Sequence, residues 1–235
     1  MLYNISTLIN LIVLLNQADQ LPNVGAWETI NDKGHTIVMI VTDKHFSLAA
    51  YTKEPASFIY TAGGTWKRSG DSKISVQYEY HTSDRNKVGT SDQFDVEIKG
   101  KKMTTNGLTW KRIDKGRPGK LEGAWLITGR KRDGEMSFRT PGARKTMKIL
   151  SGKRFQWIAY NSDTGEFFGT GGGTYKTRNG KYTENIEFFS RDNTRVGAEL
   201  KFDYEIREGS WHHSGFSSKG DPLYEIWETR QALGM

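Results

Sequence analysis

The chain states one pattern twice. "TAGGTWK" at residues 61–67 returns as "TGGGTYK" at 170–176, and the flanking residues keep the same order. Gly25-Ala26-Trp27 returns as Gly123-Ala124-Trp125, and Lys44-His45-Phe46 through Ala50-Tyr51 as Lys153-Arg154-Phe155 through Ala159-Tyr160. Val88-Gly89 matches Val196-Gly197, the run Phe94 to Ile98 matches Phe202 to Ile206, and Trp110 finds Trp227. The offset is 98 at the first motif, 109 around the septet, 108 after it and 117 at the last tryptophan. An ordered repeat of this length in two copies excludes solenoids, whose periods are shorter and which need three or more copies. It predicts two similar domains within 235 residues, each large enough for its own core.

Strand signals dominate both copies. "ISVQYEY" sends Ile74, Val76, Tyr78 and Tyr80 to one face, and "KFDYEIRE" does the same with Phe202, Tyr204 and Ile206. One wet and one dry face is the pattern of antiparallel sheets, and short turns such as "IKGKK" and "TRNGK" join them as hairpins. An eight-stranded meander hides its dry face most simply by closing on itself. The fold class expected is therefore all-β, with two tandem up-and-down antiparallel β-barrels of about eight strands each; paired packed sheets are the alternative. Gly63-Gly64 and Gly171 to Gly173 then mark a strand that turns a barrel corner. The "GGGTYK" run lacks the spacing and following helix of a phosphate loop.

Residues 1–18 differ from the remainder: Leu8 to Leu15 is apolar apart from Asn10, and no basic residue precedes Lys33. This reads as a secretory signal peptide ending near Ala18, which implies a secreted or periplasmic protein. The domain division expected is 19–114 for the first barrel, 115–121 for a linker and 122–235 for the second barrel. No segment has the length and apolarity of a transmembrane span.

The absence of cysteine excludes disulfides, thiolate metal sites and a cysteine nucleophile. Net charge is +7, and the stretch 111–154 holds fourteen Lys or Arg against four Asp or Glu. Such clustering attracts anions, so an anionic envelope component is a candidate partner there, whereas nucleic acid is not expected. No nucleophile signature and no zinc spacing is present. The pairs Asp95/Glu97 and Asp203/Glu205 alternate with apolar residues and so point to water. No cofactor, metal ligand set or catalytic residue is assigned.

"GAW" at the start of each repeat resembles the Gly-x-Trp of the first strand in lipocalins and related calycin barrels. In that superfamily the Trp closes the barrel floor beneath an Arg from a late strand, and Arg112 and Arg230 are candidates for that partner. The closing segment His212-His213-Ser214-Gly215, Gly220-Asp221-Pro222 and Glu225-Ile226-Trp227 further resembles tandem lipocalin-like bacterial proteins described only as membrane or secreted proteins. The resemblance implies a fold and an address; it carries no activity.

The repeats differ most where nine extra residues precede Trp227. Function often sits on such a connection. Trp211, His212, His213, Phe216 and Tyr224, with Trp157 and Tyr204 on the interior, are therefore the candidate ligand-binding residues. Phe216 to Tyr224 would cap the second barrel or join the domains. The function expected is an exported, non-enzymatic protein that holds a small amphipathic or apolar molecule, or a glycan, in a barrel mouth. The alternatives are an envelope scaffold with packed barrels and a basic face, and an enzyme on a calycin-like barrel. Hollow interiors would favour binding and solid ones the scaffold.

Overall fold

The computed structural model describes residues 24–116, 119–217 and 220–235. The leader at 1–18 and positions 117–118 of the expected linker lie outside the described residues. Eight strands form a closed barrel: β1 (Gly25–Ile30), β2 (Thr36–Val41), β3 (His45–Lys53), β4 (Ala56–Arg68), β5 (Lys73–His81), β6 (Ser91–Lys99), β7 (Lys102–Thr105) and β8 (Leu108–Asp114). Each pairs with its sequence neighbour, and β1 pairs with β8 to close the ring.

The second barrel is built from β9 (Gly123–Arg132), β11 (Arg144–Leu150), β12 (Arg154–Asn161), β13 (Phe167–Arg178), β14 (Lys181–Phe189), β15 (Glu199–Arg207), β16 (Ser210–Phe216) and β17 (Pro222–Thr229). Here β17 closes on β9. A short extra strand, β10 (Glu135–Phe138), pairs with the far end of β9 and has no counterpart in the first barrel. Among the described residues no helix is long and apolar enough to cross a membrane.

The repeat extends to details. Between β5 and β6 a single 3-10 turn at Arg85–Lys87 is capped by the Asp84 side chain, and between β14 and β15 Asn193–Arg195 is capped by Asp192. The indole of Trp66 donates to the Thr42 carbonyl at 2.9 Å, while the Tyr175 hydroxyl donates to the equivalent Ser151 carbonyl at 2.5 Å. Both aromatic residues of the echoed septets thus pin the same hairpin turn.

Register breaks between Gly63 and Gly64 and, equivalently, between Gly172 and Gly173. Each break is a β-bulge, and only glycine fits it. A Cβ on Gly64 would strike the Gln77 carbonyl oxygen, and one on Gly173 the Asn185 carbonyl oxygen. A bulge adds one residue to the partner strand and so reverses the faces beyond it. Tyr78 accordingly faces the first barrel's interior, but Tyr80 does not, contrary to the simple alternation of "ISVQYEY". Phe188 is turned outward in the same way.

These outward residues join the barrels. One shared apolar cluster contains Ile40 and Tyr80 with Leu126, Met147, Ile158 and Tyr160; another contains Val38, Ala49 and Tyr51 with Phe188. Within the seam Ser47 donates to Gln156 Oε1 at 2.5 Å, and Gln156 Nε2 donates to Thr61 at 2.8 Å and Thr170 at 3.0 Å. Arg112 sits 4.9 Å over the Trp27 ring, as the floor-closing motif implies. Arg230 is employed differently: it crosses the seam to Glu79, with nitrogen to oxygen distances of 2.7 and 2.8 Å.

Candidate functional site

The first barrel is hollow. A cavity of about 240 Å³ is walled mainly by Ile37, Met39, Leu48, Ile74, Val76, Phe94, Val96 and Met103, with Trp66, Tyr78 and Trp110. Alternation along β2 to β8 supplies these apolar side chains. The Gly63–Gly64 bulge restores Ala62 and His81 to the same wall beyond it. Polar groups gather at the end where β5 leaves and β7 turns into β8: His81, Thr105 and Asn106.

Two of the wall's polar atoms are orphans. Trp110 Nε1 and Thr105 Oγ1 are buried and have no hydrogen-bond partner among the described residues. A buried donor left unpaired costs about 1–3 kcal/mol, so each would gain from a partner that a small shift of the cavity wall admits. His81 Nδ1 accepts from the Asp84 backbone N–H at 3.1 Å. The neutral ring therefore carries its proton on Nε2, and burial, only partly countered by Asp84, lowers its pKa and favours that neutral form.

The second barrel is filled, and shared register shows which exchanges fill it. Where the first has Met39, Ile74, Val76, Met103, Thr105 and Leu108, the second has Lys148, Tyr182, Glu184, Trp211, His213 and Glu225. Larger aromatic residues take the space, and the polar ones pair with each other. Lys148 Nζ lies 2.9 Å from Glu184 Oε1, with both side chains almost wholly buried. The same ammonium sits 5.0 Å from the Tyr182 and Trp211 ring centres and 5.4 Å from that of Trp227. Such a cation is held by ring faces as well as by its carboxylate.

His213 Nδ1 faces Glu225 Oε2 at 3.4 Å, and the Trp227 indole donates to the same oxygen at 3.1 Å. Burial alone would raise the Glu225 carboxyl. The His213 contact, Arg130 and Lys148 outweigh it and hold the carboxyl down at about 2.

The residues singled out from the sequence therefore part company. Trp211 and His213 lie inside the second barrel as packed core, where a ligand would have to displace them. Adjacent strand residues face opposite ways, so His212 is outside, 2.7 Å from the Tyr224 hydroxyl. Phe216 is 63% exposed; its strand pairs with Pro222, so β16 and β17 extend outward as a hairpin. Phe216 and Tyr224 thus neither cap the barrel nor join the domains, and positions 218–219 between them lie outside the described residues. Trp157 packs edge-on to Phe189 at 5.5 Å, and Tyr204 lies half-buried against the same core.

What the sequence reading missed is the cavity itself, in the copy without the insertion. The available signal was the exchange of Lys148, Glu184 and His213 for Met39, Val76 and Thr105, visible once the two copies are set in register. Among the described residues no group of three or more His, Asp or Glu side chains is arranged to hold a metal ion.

Over residues 120–232 the chain is similar to the family described as a domain of unknown function, DUF4488. The matched stretch spans the strands of the second, filled barrel. A search of curated proteins finds no match.

Proposed function

We propose that the first barrel holds a small, mainly apolar molecule with one polar end, and that the second barrel is its solid support. The observation that carries this reading is the apolar cavity of about 240 Å³ with two orphaned polar atoms in its wall. A dry cavity of about 150 Å³ already suffices for benzene, and drug-sized pockets begin near 300 Å³. The occupant is accordingly a compact molecule, its polar end hydrogen-bonded to Thr105, Trp110 or the Nε2 of His81. The Arg112–Trp27 floor supports a lipocalin-like ancestry, and residues 1–18 support export. The packed second barrel and basic surface fit the scaffold reading for that half alone.

The test uses n-hexanol, n-octanol and 2-naphthol as probes, with tryptophan fluorescence and thermal shift as readouts. Saturable binding is expected in the parent. Leu48→Trp combined with Ala62→Gly copies the Trp157 and Gly171 pair of the second barrel and should abolish it. Thr105→Val should weaken alcohols more than hydrocarbons of equal size. No saturable response in the parent, or an undiminished one in the filled variant, overturns the reading.

A further inference from the structure

The first connection of the second barrel exceeds that of the first barrel by the eleven residues that shift the repeat offset from 98 to 109. They build the β10 hairpin. β10 pairs with β9 over Gly129–Arg132, whereas β11 pairs with it over Gly123–Leu126. Where the two strands part, a hollow of about 340 Å³ opens over Ile127, lined by Arg130, Arg132, Arg139 and Arg144, with Phe138 beside them.

Four arginine side chains thus line one space. Arg130 pairs with Glu225, and none of the other three makes an ion pair among the described residues. Arg139 is fixed by its stem: its backbone N–H donates to the Thr128 carbonyl at 2.9 Å and its Nε to the Ile127 carbonyl at 3.3 Å. Its two terminal nitrogens make no hydrogen bond among the described residues. Arg144 is steadied 4.5 Å over the Phe168 ring. Burial, reinforced by Arg130, Arg144 and Arg132 and opposed by Glu225, presses Arg139 below the usual arginine value, so the like charges are felt. A bound oxyanion relieves that repulsion, and the planar guanidinium fork matches its geometry.

We propose that this hollow between β10 and β11 binds a phosphate-type oxyanion attached to an apolar or aromatic group that lies along Phe138, which is 71% exposed. The site is separate from the cavity of the first barrel and stands or falls independently of it. The phosphate comes either from a soluble ester or from a lipid headgroup, and the chemistry recognised is the same.

The experiment follows the melting temperature of the full chain against inorganic phosphate and hexyl phosphate, at ionic strength fixed with sodium chloride. Co-sedimentation with phosphatidylcholine vesicles is run with and without phosphatidylglycerol. In Arg132→Gln/Arg144→Gln, loss of two charge-assisted contacts should weaken anion binding roughly tenfold or more. The variant without anion should melt close to the parent, because the repulsion it loses offsets the lost contact of Arg144 with the Phe168 ring. Phe138→Ser should weaken hexyl phosphate and leave inorganic phosphate unchanged. A response to soluble phosphates assigns the source as a soluble ester; binding confined to phosphatidylglycerol vesicles and lost in the arginine variant assigns a headgroup. No response in any arm, or equal responses in parent and arginine variant, overturns the proposal.

Discussion

The Tyr51 hydroxyl donates to Glu187 Oε2 across the seam at 2.6 Å, and the contact is made a second time with the copies exchanged, by Tyr160 and Glu79. Each carboxylate also receives an arginine, Arg154 for Glu187 and Arg230 for Glu79. Phe58 stacks on its own equivalent, Phe167, with ring centres 6.0 Å apart. The seam is thus self-complementary, like the interface of a two-fold dimer.

Breaking either half of it should cost the same order of stability. Glu79→Gln leaves the buried Arg230 without its countercharge, and Glu187→Gln does so to Arg154. Loss of one partner of a buried pair costs about 3–5 kcal/mol, less for Glu187, whose side chain is 31% exposed. Urea denaturation of the two variants checks this, with Glu79→Gln the more damaging.

Acid should destabilise the protein in two stages. Burial, aided by Arg230 and Lys44 and opposed by Glu79, lowers His45 from 6.5 to about 4. Between those values the unfolded chain binds a proton that the folded chain refuses. The stability linked to His45 is therefore complete above about pH 6.5 and lost as pH falls to 4, at most roughly 3 kcal/mol. The buried His213 acts in the same direction. Glu79 and Glu187, held below the usual range by their arginines despite burial, give a second loss as pH falls below about 4.3. In melting curves against pH, His45→Gln should shrink the upper stage to the share of His213 and leave the lower one.

The bulge glycines should be far less tolerant than a free one. Gly64→Ala drives a methyl group into the Gln77 carbonyl, whereas a Cβ on Gly142 meets nothing within 4 Å. Denaturant midpoints should show a loss above about 2 kcal/mol for the first and within about 0.5 kcal/mol for the second.

The filling of the second barrel should behave as a unit. Lys148→Met alone strands the buried Glu184, and Glu184→Val alone strands Lys148, each at about 3–5 kcal/mol. The double variant installs the first barrel's own Met39 and Val76 and should cost less than either single change. A double-mutant cycle by chemical denaturation measures the coupling.

Much of this architecture could be read from residue order. The echoes from Trp27 and Trp125 onward implied two equivalent units, and alternation with short turns implied meanders that close. The glycine strands marked where each barrel bends, but the reversal of faces escaped, because alternation has no term for the one extra residue that sends Tyr80 to the seam while Tyr78 stays inside. The site escaped for a different reason. Insertions drew attention to His212 and Phe216, but hollowness depends on the summed volume of side chains from several strands, such as Met39, Val76 and Met103 together. The jump in offset from 98 to 109 did carry the signal for the β10 hairpin and its arginines.

Covalent joining of the two copies has a consequence for stoichiometry. In an assembly of two separate identical chains, any replacement of Met by Lys or Val by Glu appears in both barrels or in neither. Here Met39 and Val76 persist in one copy while Lys148 and Glu184 occupy the other, and the β10 hairpin occurs once. Among the described residues the apolar cavity behind Met39 and Val76 and the arginine-lined hollow therefore each occur once, and titration of either should saturate at a single equivalent, despite a framework that is built twice.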